Sequence, residues 1–157
     1  MENSCIRIGG EWEVYCICIS ENYPIFFSGC FNQIGKHNLE SGKIQGEVNV
    51  DGGVWRICLS KDESILFAGM NLKGSILKVD VKNMLLVSEI EGQPWLRSLK
   101  LIKPSGLLIS RDSNGLLRFI DAKSENTVNH ISDLGDSDAL TLISSQTKAL
   151  LCNSNSK

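Results

Sequence analysis

Apolar positions along the chain fall into short runs that return at a regular interval. Val14-Tyr15-Cys16-Ile17-Cys18-Ile19-Ser20 aligns with Val54-Trp55-Arg56-Ile57-Cys58-Leu59-Ser60, and the apolar pattern returns in Leu96-Arg97-Ser98-Leu99-Lys100-Leu101-Ile102. In each run the first, fourth and sixth positions are apolar. That order predicts a short buried strand with one irregular step, such as a bulge, near its start. A second apolar run ending in small residues follows, from Ile25 to Gly29, from Ile65 to Gly69 and from Leu107 to Ser110. Turn formers come next: Asn32, then Asn71 to Gly74, then Asp112-Ser113-Asn114-Gly115, the last a strong hairpin signal. Third strands are predicted from Gln33 to Leu39, Ser75 to Val81 and Leu116 to Ala122, with Asn38, Asp80 and Asp121 in equivalent places. Weaker fourth strands are placed from Lys43 to Val50, Leu85 to Ile90 and Thr127 to Ile131.

The unit is four short strands in about 41 residues, and no stretch holds a helical period for three turns. A single four-stranded blade cannot bury both of its faces. It must stack on neighbours around an axis, which predicts an all-β partial β-propeller of antiparallel blades. One domain covers residues 1–157. Its blades are expected at about 11–53, 54–94 and 95–138, with a half blade at 139–152. Cys5-Ile6-Arg7-Ile8 fits the last strand of a preceding blade.

These residues resemble the repeat of WD-repeat (WD40-like) propellers. Val54 to Asp62, Ile65 to Gly69 and Gly74-Ser75-Ile76-Leu77-Lys78-Val79-Asp80 follow that repeat closely, and His37-Asn38-Leu39-Glu40-Ser41-Gly42-Lys43 is similar to its ending. The signature tryptophan is replaced by His37, Val79 or Ile120, and the usual opening Gly-His pair is missing from every unit. The resemblance implies a noncatalytic scaffold that binds a peptide or protein through the blade ends. Positions flanking the first apolar residue of each first strand face the narrow end of the channel in that family. Here these are Glu13 and Tyr15, Gly53 and Trp55, and Trp95 and Arg97, with Met70 and Arg111 on the same surface. Tyr15, Trp55, Met70, Trp95, Arg97 and Arg111 are therefore the candidate partner-binding residues. Trp and Arg are the side chains most enriched in binding hot spots. Filling the space between blades is an equally good use for the tryptophans, and the sequence leaves both open. The family usually closes a ring of about seven blades, whereas this chain carries about three and a half. A second expectation is thus a propeller fragment that completes its ring with another chain, as a homodimer or heteromer.

Composition narrows the classes further. The chain is 42% hydrophobic and 22% charged with a net charge of −2, which suits a globular domain and lacks the basic excess needed for phosphate-backbone binding. No nucleic-acid partner is expected. No apolar run approaches the ~18 residues of a membrane span, and the first residues lack the form of a signal peptide. A cytoplasmic or nuclear location and no membrane association follow as expectations. Six cysteines are too few for a disulfide scaffold, so reduced thiols are expected.

No catalytic motif stands out, and no cofactor or metal is expected. Cys16 and Cys18 form a single C-x-C pair, where a zinc site needs four ligands, usually as two close pairs. Cys18 aligns with Cys58, which points to small core residues. Cys30 and Cys152 end second strands and are expected to be partly exposed. His37 is expected in a structural role, Asn38, Asp80 and Asp121 as turn formers that hold nearby backbone N–H groups, and Gly69, Gly74 and Gly115 at turns or close approaches. The rival class, a propeller enzyme, predicts carboxylates or histidines at equivalent channel positions, and only Glu13 answers to that.

Overall fold

The structure, a computed structural model, describes residues 13–92 and 94–132, together with the backbone of 139–143 and 148–152. Twelve strands run through it: β1 (Val14–Ile19), β2 (Ile25–Asn38), β3 (Ile44–Leu59), β4 (Ile65–Met70), β5 (Ile76–Asp80), β6 (Leu85–Ile90), β7 (Leu96–Ile102), β8 (Leu107–Asp112), β9 (Leu117–Asp121), β10 (Thr127–Ile131), β11 (Ala139–Ile143) and β12 (Lys148–Cys152). Every pairing between them is antiparallel. Among the described residues no helix is long and apolar enough to cross a membrane.

Two strands are longer than the sequence pattern predicts, because each serves twice. β2 folds back on itself at Asn32, whose φ of 62° takes the left-handed turn. Leu39 N then donates to Pro24 O at 2.8 Å, and the Phe26 and His37 rings stack at 4.7 Å. β3 carries the outermost strand of the first blade and, past Gly52 at φ 115°, the innermost strand of the second. The expected junction after Gly53 therefore lies inside a continuous strand. The first blade is β1, the two legs of β2 and the first leg of β3. The second is the rest of β3 with β4, β5 and β6, so that β1 to β6 form one continuous six-stranded sheet; the third is β7 to β10, and among the described residues β11 pairs with β12.

Apolar alternation then builds the core between blades. Phe27 and Ile34 of the first blade meet Val54, Ile57, Leu59, Leu66, Ala68, Leu77 and Val79 of the second. Phe67 and Ile76 of the second meet Leu96, Leu99, Leu108 and Ile120 of the third. Burying each such large side chain contributes about 1.5–3 kcal/mol, so stacking rather than any single blade holds the fold. Lys36 and Lys78 add a matching tie. Lys36 Nζ donates to Val81 O at 3.0 Å, and Lys78 Nζ to Ala122 O at 3.4 Å and to Glu125 at 2.6 Å.

The turn residues act as their positions predict. Asn38 Oδ1 accepts from the N–H of Glu40 and Ser41, Asp80 Oδ1 from Lys82 and Asn83, and Asp121 Oδ1 from Lys123 and Ser124. His37 is buried, and its Nε2 lies 2.8 Å from Ser28 Oγ. A carboxylate missed by the sequence reading, Glu63, ties the first two blades at the rim: Ser20 Oγ donates to it at 2.5 Å and Glu21 N at 2.7 Å.

These groups set an acid limit. Burial holds the His37 imidazole below its ordinary value of 6.5, so the fold favours the neutral ring. Its contribution is complete above that value and is lost as pH falls from there toward the lower folded value. Burial pushes the Glu63 carboxyl up, but the Ser20 hydroxyl and the Glu21 and Asn22 groups outweigh it, leaving it below its ordinary 4.5. Its contribution is present above 4.5 and is lost as pH falls through the folded value. Urea midpoints measured down the acid range should fall in two phases. His37→Phe is expected to remove the upper phase while leaving the lower one, and an unchanged upper phase would take His37 out of this role.

Candidate functional site

Each innermost strand of the three blades carries a bulge at the same place. Val14 pairs with Cys30 and Cys16 with Gly29, which leaves Tyr15 as the extra residue. Val54 pairs with Met70 and Arg56 with Gly69, leaving Trp55. Leu96 pairs with Asp112 and Ser98 with Arg111, leaving Arg97. The extra residue of a bulge is freed from the pleat and its side chain is re-aimed. The irregular step read from the apolar spacing is thus a bulge at three of the candidate binding residues.

The bulges bring these side chains together. The Tyr15 and Trp55 rings lie 6.3 Å apart at 47°, and the Arg97 guanidinium carbon stands 6.0 Å from the centre of the Trp55 ring. A Cβ on Gly53 would sit 3.3 Å from Trp55 Nε1 and 3.6 Å from Tyr15 Cε2, so the glycine lies beside both rings. Arg56 Nη1 donates to Trp55 O at 2.7 Å and holds the bulge. A backbone chain links the turns around this mouth: Asn71 N donates to Gly53 O, Trp95 N to Asn71 O and Ser113 N to Trp95 O. Tyr15 is 40% exposed, while Trp55 and Arg97 are half-buried.

Trp95 belongs to the same rim but not to the stack. It is 48% exposed, with φ at 64°, and among the described residues no ring or cation contact joins it to Trp55. Glu13 is exposed next to β1. Two of the expected surface residues are corrected by the structure. Met70 is 2% exposed, because β4 continues through it and strand alternation sends its side chain to the face of Leu66 and Ala68. Arg111 is 1% exposed, because β8 continues past it and alternation places it on the face of Ile109. In register, Arg111 occupies the place that Gly29 and Gly69 hold in the other blades.

The thiols are placed for packing. Cys16 and Cys18 pack against the first interblade cluster and Cys58 against the second. Burial pushes the Cys16 and Cys58 thiols up to about 12, which keeps them protonated and unreactive. Cys30, expected to be partly exposed, is 6% exposed, because the first leg of β2 reaches it and pairs it with Val14. The side chain of Cys152 and the segment Cys5 to Ile8 lie outside the described residues. At the opposite rim a cleft of about 650 Å³ runs between the first two blades, lined by Tyr23, Ile25, Lys36, Glu63, Ile65 and Val81. Its Lys36 and Glu63 are already committed to the blade ties described above.

Comparison with known proteins places this geometry. No family model matches the chain, and no curated protein matches it. Among solved structures, a crystal structure of RRP9 WD40 repeats superposes with a TM-score of 0.74 at 16% identity, covering 82% of this chain and 41% of that one. A structure of U3-55K superposes with a TM-score of 0.74 at 16% identity, covering 84% of this chain and 42% of that one. The chain has the fold of WD40-repeat propellers and spans about two-fifths of the length of these neighbours.

Proposed function

We propose that the chain is a noncatalytic interaction module that docks a peptide or protein surface at the mouth formed by Tyr15, Trp55 and Arg97, with Trp95 on its rim. The observation that supports this reading is the threefold recurrence of the bulge. A core needs no bulge at these places, since Val54, Ile57 and Leu59 in the second blade and Leu96 and Leu99 in the third already supply the apolar contacts, and the bulge recurs in the first blade, where Val14, Ile17 and Ile19 are exposed. What the bulges add is two aromatic rings and a guanidinium gathered at one end of the channel. Rigid aromatic surface combined with bidentate hydrogen bonding is the chemistry of binding hot spots. No cofactor takes part, and the cytoplasm or nucleus is the proposed setting.

The test is a selection from a displayed peptide library on the wild-type chain alone, followed by affinity measurements of the selected peptides on Trp55→Ala and Arg97→Ala. Peptides that bind the wild type are expected to lose about 2 kcal/mol with either Trp55→Ala or Arg97→Ala, roughly thirty-fold in Kd. The urea midpoint should stay close to wild type. Selected peptides that bind both variants unchanged would move the site elsewhere. A collapse of the urea midpoint would assign the residue to packing.

A further inference from the structure

The joint between the second and third blades repeats the first joint with one part replaced. In the first joint Glu63 accepts from Ser20 Oγ and from Glu21 N, and so fastens its turn to the turn of the preceding blade. Counted from the flanking strands, Ser105 holds the place of Glu63 one repeat later. Ser105 is exposed, and its hydroxyl donates to Ile102 O at 3.3 Å within its own turn. Ser60, the counterpart of Ser20, donates to Asp62 beside it at 2.6 Å. Among the described residues no hydrogen bond joins the 60–64 turn to the 102–106 turn.

A cleft of about 540 Å³ opens at this joint, with Ile65, Phe67, Leu101 and Ala122 as its apolar lining. Four lysines line it against two aspartates, and the aspartates are taken up locally. Asp62 accepts from Ser60 and Ser64, and Asp121 from the N–H groups of Lys123 and Ser124. Lys78 is tied to Glu125, whereas Lys61 and Lys123 are exposed. Lys103 meets Glu21 at 2.5 Å in a surface pair, which holds it weakly.

We propose that this cleft binds an acidic peptide, in which a carboxylate adjoins a bulky apolar residue. The carboxylate takes, among Lys61, Lys103 and Lys123, the part that Glu63 plays in the first joint, and the apolar side chain lies against Leu101 and Ala122. Two observations select this occupant. The lining carries a surplus of positive charge, and the first joint shows a carboxylate answering the donors of the preceding turn at this level of the fold. A nucleic acid would meet the same lysines, but the apolar lining, the two aspartates and the chain's net charge of −2 all disfavour it.

Two displayed peptide libraries, one fixed at a central Leu-Glu pair and the other at Leu-Gln, test this on the full chain. Binders are expected from the Leu-Glu library only, with an affinity that falls as salt rises. Lys61→Glu with Lys123→Glu should keep the strand circular dichroism and raise the Kd of these peptides by about ten-fold or more. Ser105→Glu supplies a carboxylate from within the chain and should weaken the same peptides, while Trp55→Ala should leave them unchanged. Hydrogen exchange of the wild type needs no variant and should show amides of the 60–64 and 102–106 turns slowing when peptide is added. Equal recovery from both libraries, no binder from the Leu-Glu library, or affinity untouched by the lysine or Ser105 substitutions would each overturn the proposal. So would loss of binding with Trp55→Ala, turns whose exchange the peptide leaves unchanged, or a mixed-sequence oligonucleotide that binds through Lys61 and Lys123 where no peptide does.

Discussion

Phe27→Ala is expected to lower stability by about 3–5 kcal/mol, the usual cost of emptying a fully buried aromatic site. Phe27 is 0% exposed and lies in the cluster between the first and second blades. Phe67 holds the same strand position one repeat later, at 2% exposure, but lies in the cluster between the second and third. Because the two rings share no cluster, the double variant should lose close to the sum of the single losses. Domains of this kind have only about 5–15 kcal/mol in total, so the double variant is expected to be largely unfolded at 25 °C. Urea denaturation of the three variants checks this. A loss below about 1 kcal/mol for Phe27→Ala would mean that the first two blades do not pack as described.

Gly29→Ala is expected to cost about 3 kcal/mol although it adds a single methyl group. The added Cβ would lie 2.5 Å from Cys16 Sγ, 2.6 Å from Val54 Cγ1 and 2.9 Å from Val54 O. The last of these is backbone, fixed by the pairing of Val54 with Met70, so the second blade as a whole must move away. Gly106→Ala is the matched control. It has open space around it and a φ of 69°, so it should cost only the left-handed backbone strain of about 1–2 kcal/mol. Thermal midpoints of the two variants separate steric from conformational glycine. Equal, small losses would show that the blades yield to accommodate the methyl group.

Most of the fold is legible in the chain, and particular residues show why. Ile57 and Leu59, Leu99 and Leu101, and the turn carboxylates Asp80 and Asp121 are local signals whose meaning depends on strand alternation and a three-residue turn. The bulge was legible too, since the apolar spacing in the first strands is a strict alternation broken once. The long-range features were not. Glu63 reads as an ordinary turn residue and becomes the rim tie only because Ser20 and Glu21 are brought to it across the blade junction. Lys36 and Lys78 recur at matching places, a signal that was present and passed over.

Repetition therefore carries the architecture: short strands of fixed order, turn residues at fixed offsets, and apolar faces that need neighbours, all set by interactions within one unit. What the tertiary structure decided is which faces found those neighbours and which side chains came out at the surface. Met70 and Arg111 are buried because their strands run past the apolar run and are covered on both faces, so every residue from Leu66 to Met70 and from Leu108 to Asp112 is buried. Tyr15, Trp55 and Arg97 meet because stacking blades about an axis brings three bulges, distant in the chain, to one mouth. Ile17 and Ile57 hold the same strand position in sequence, and among the described residues only Ile57 has a blade packed over it, which makes it core while Ile17 is exposed.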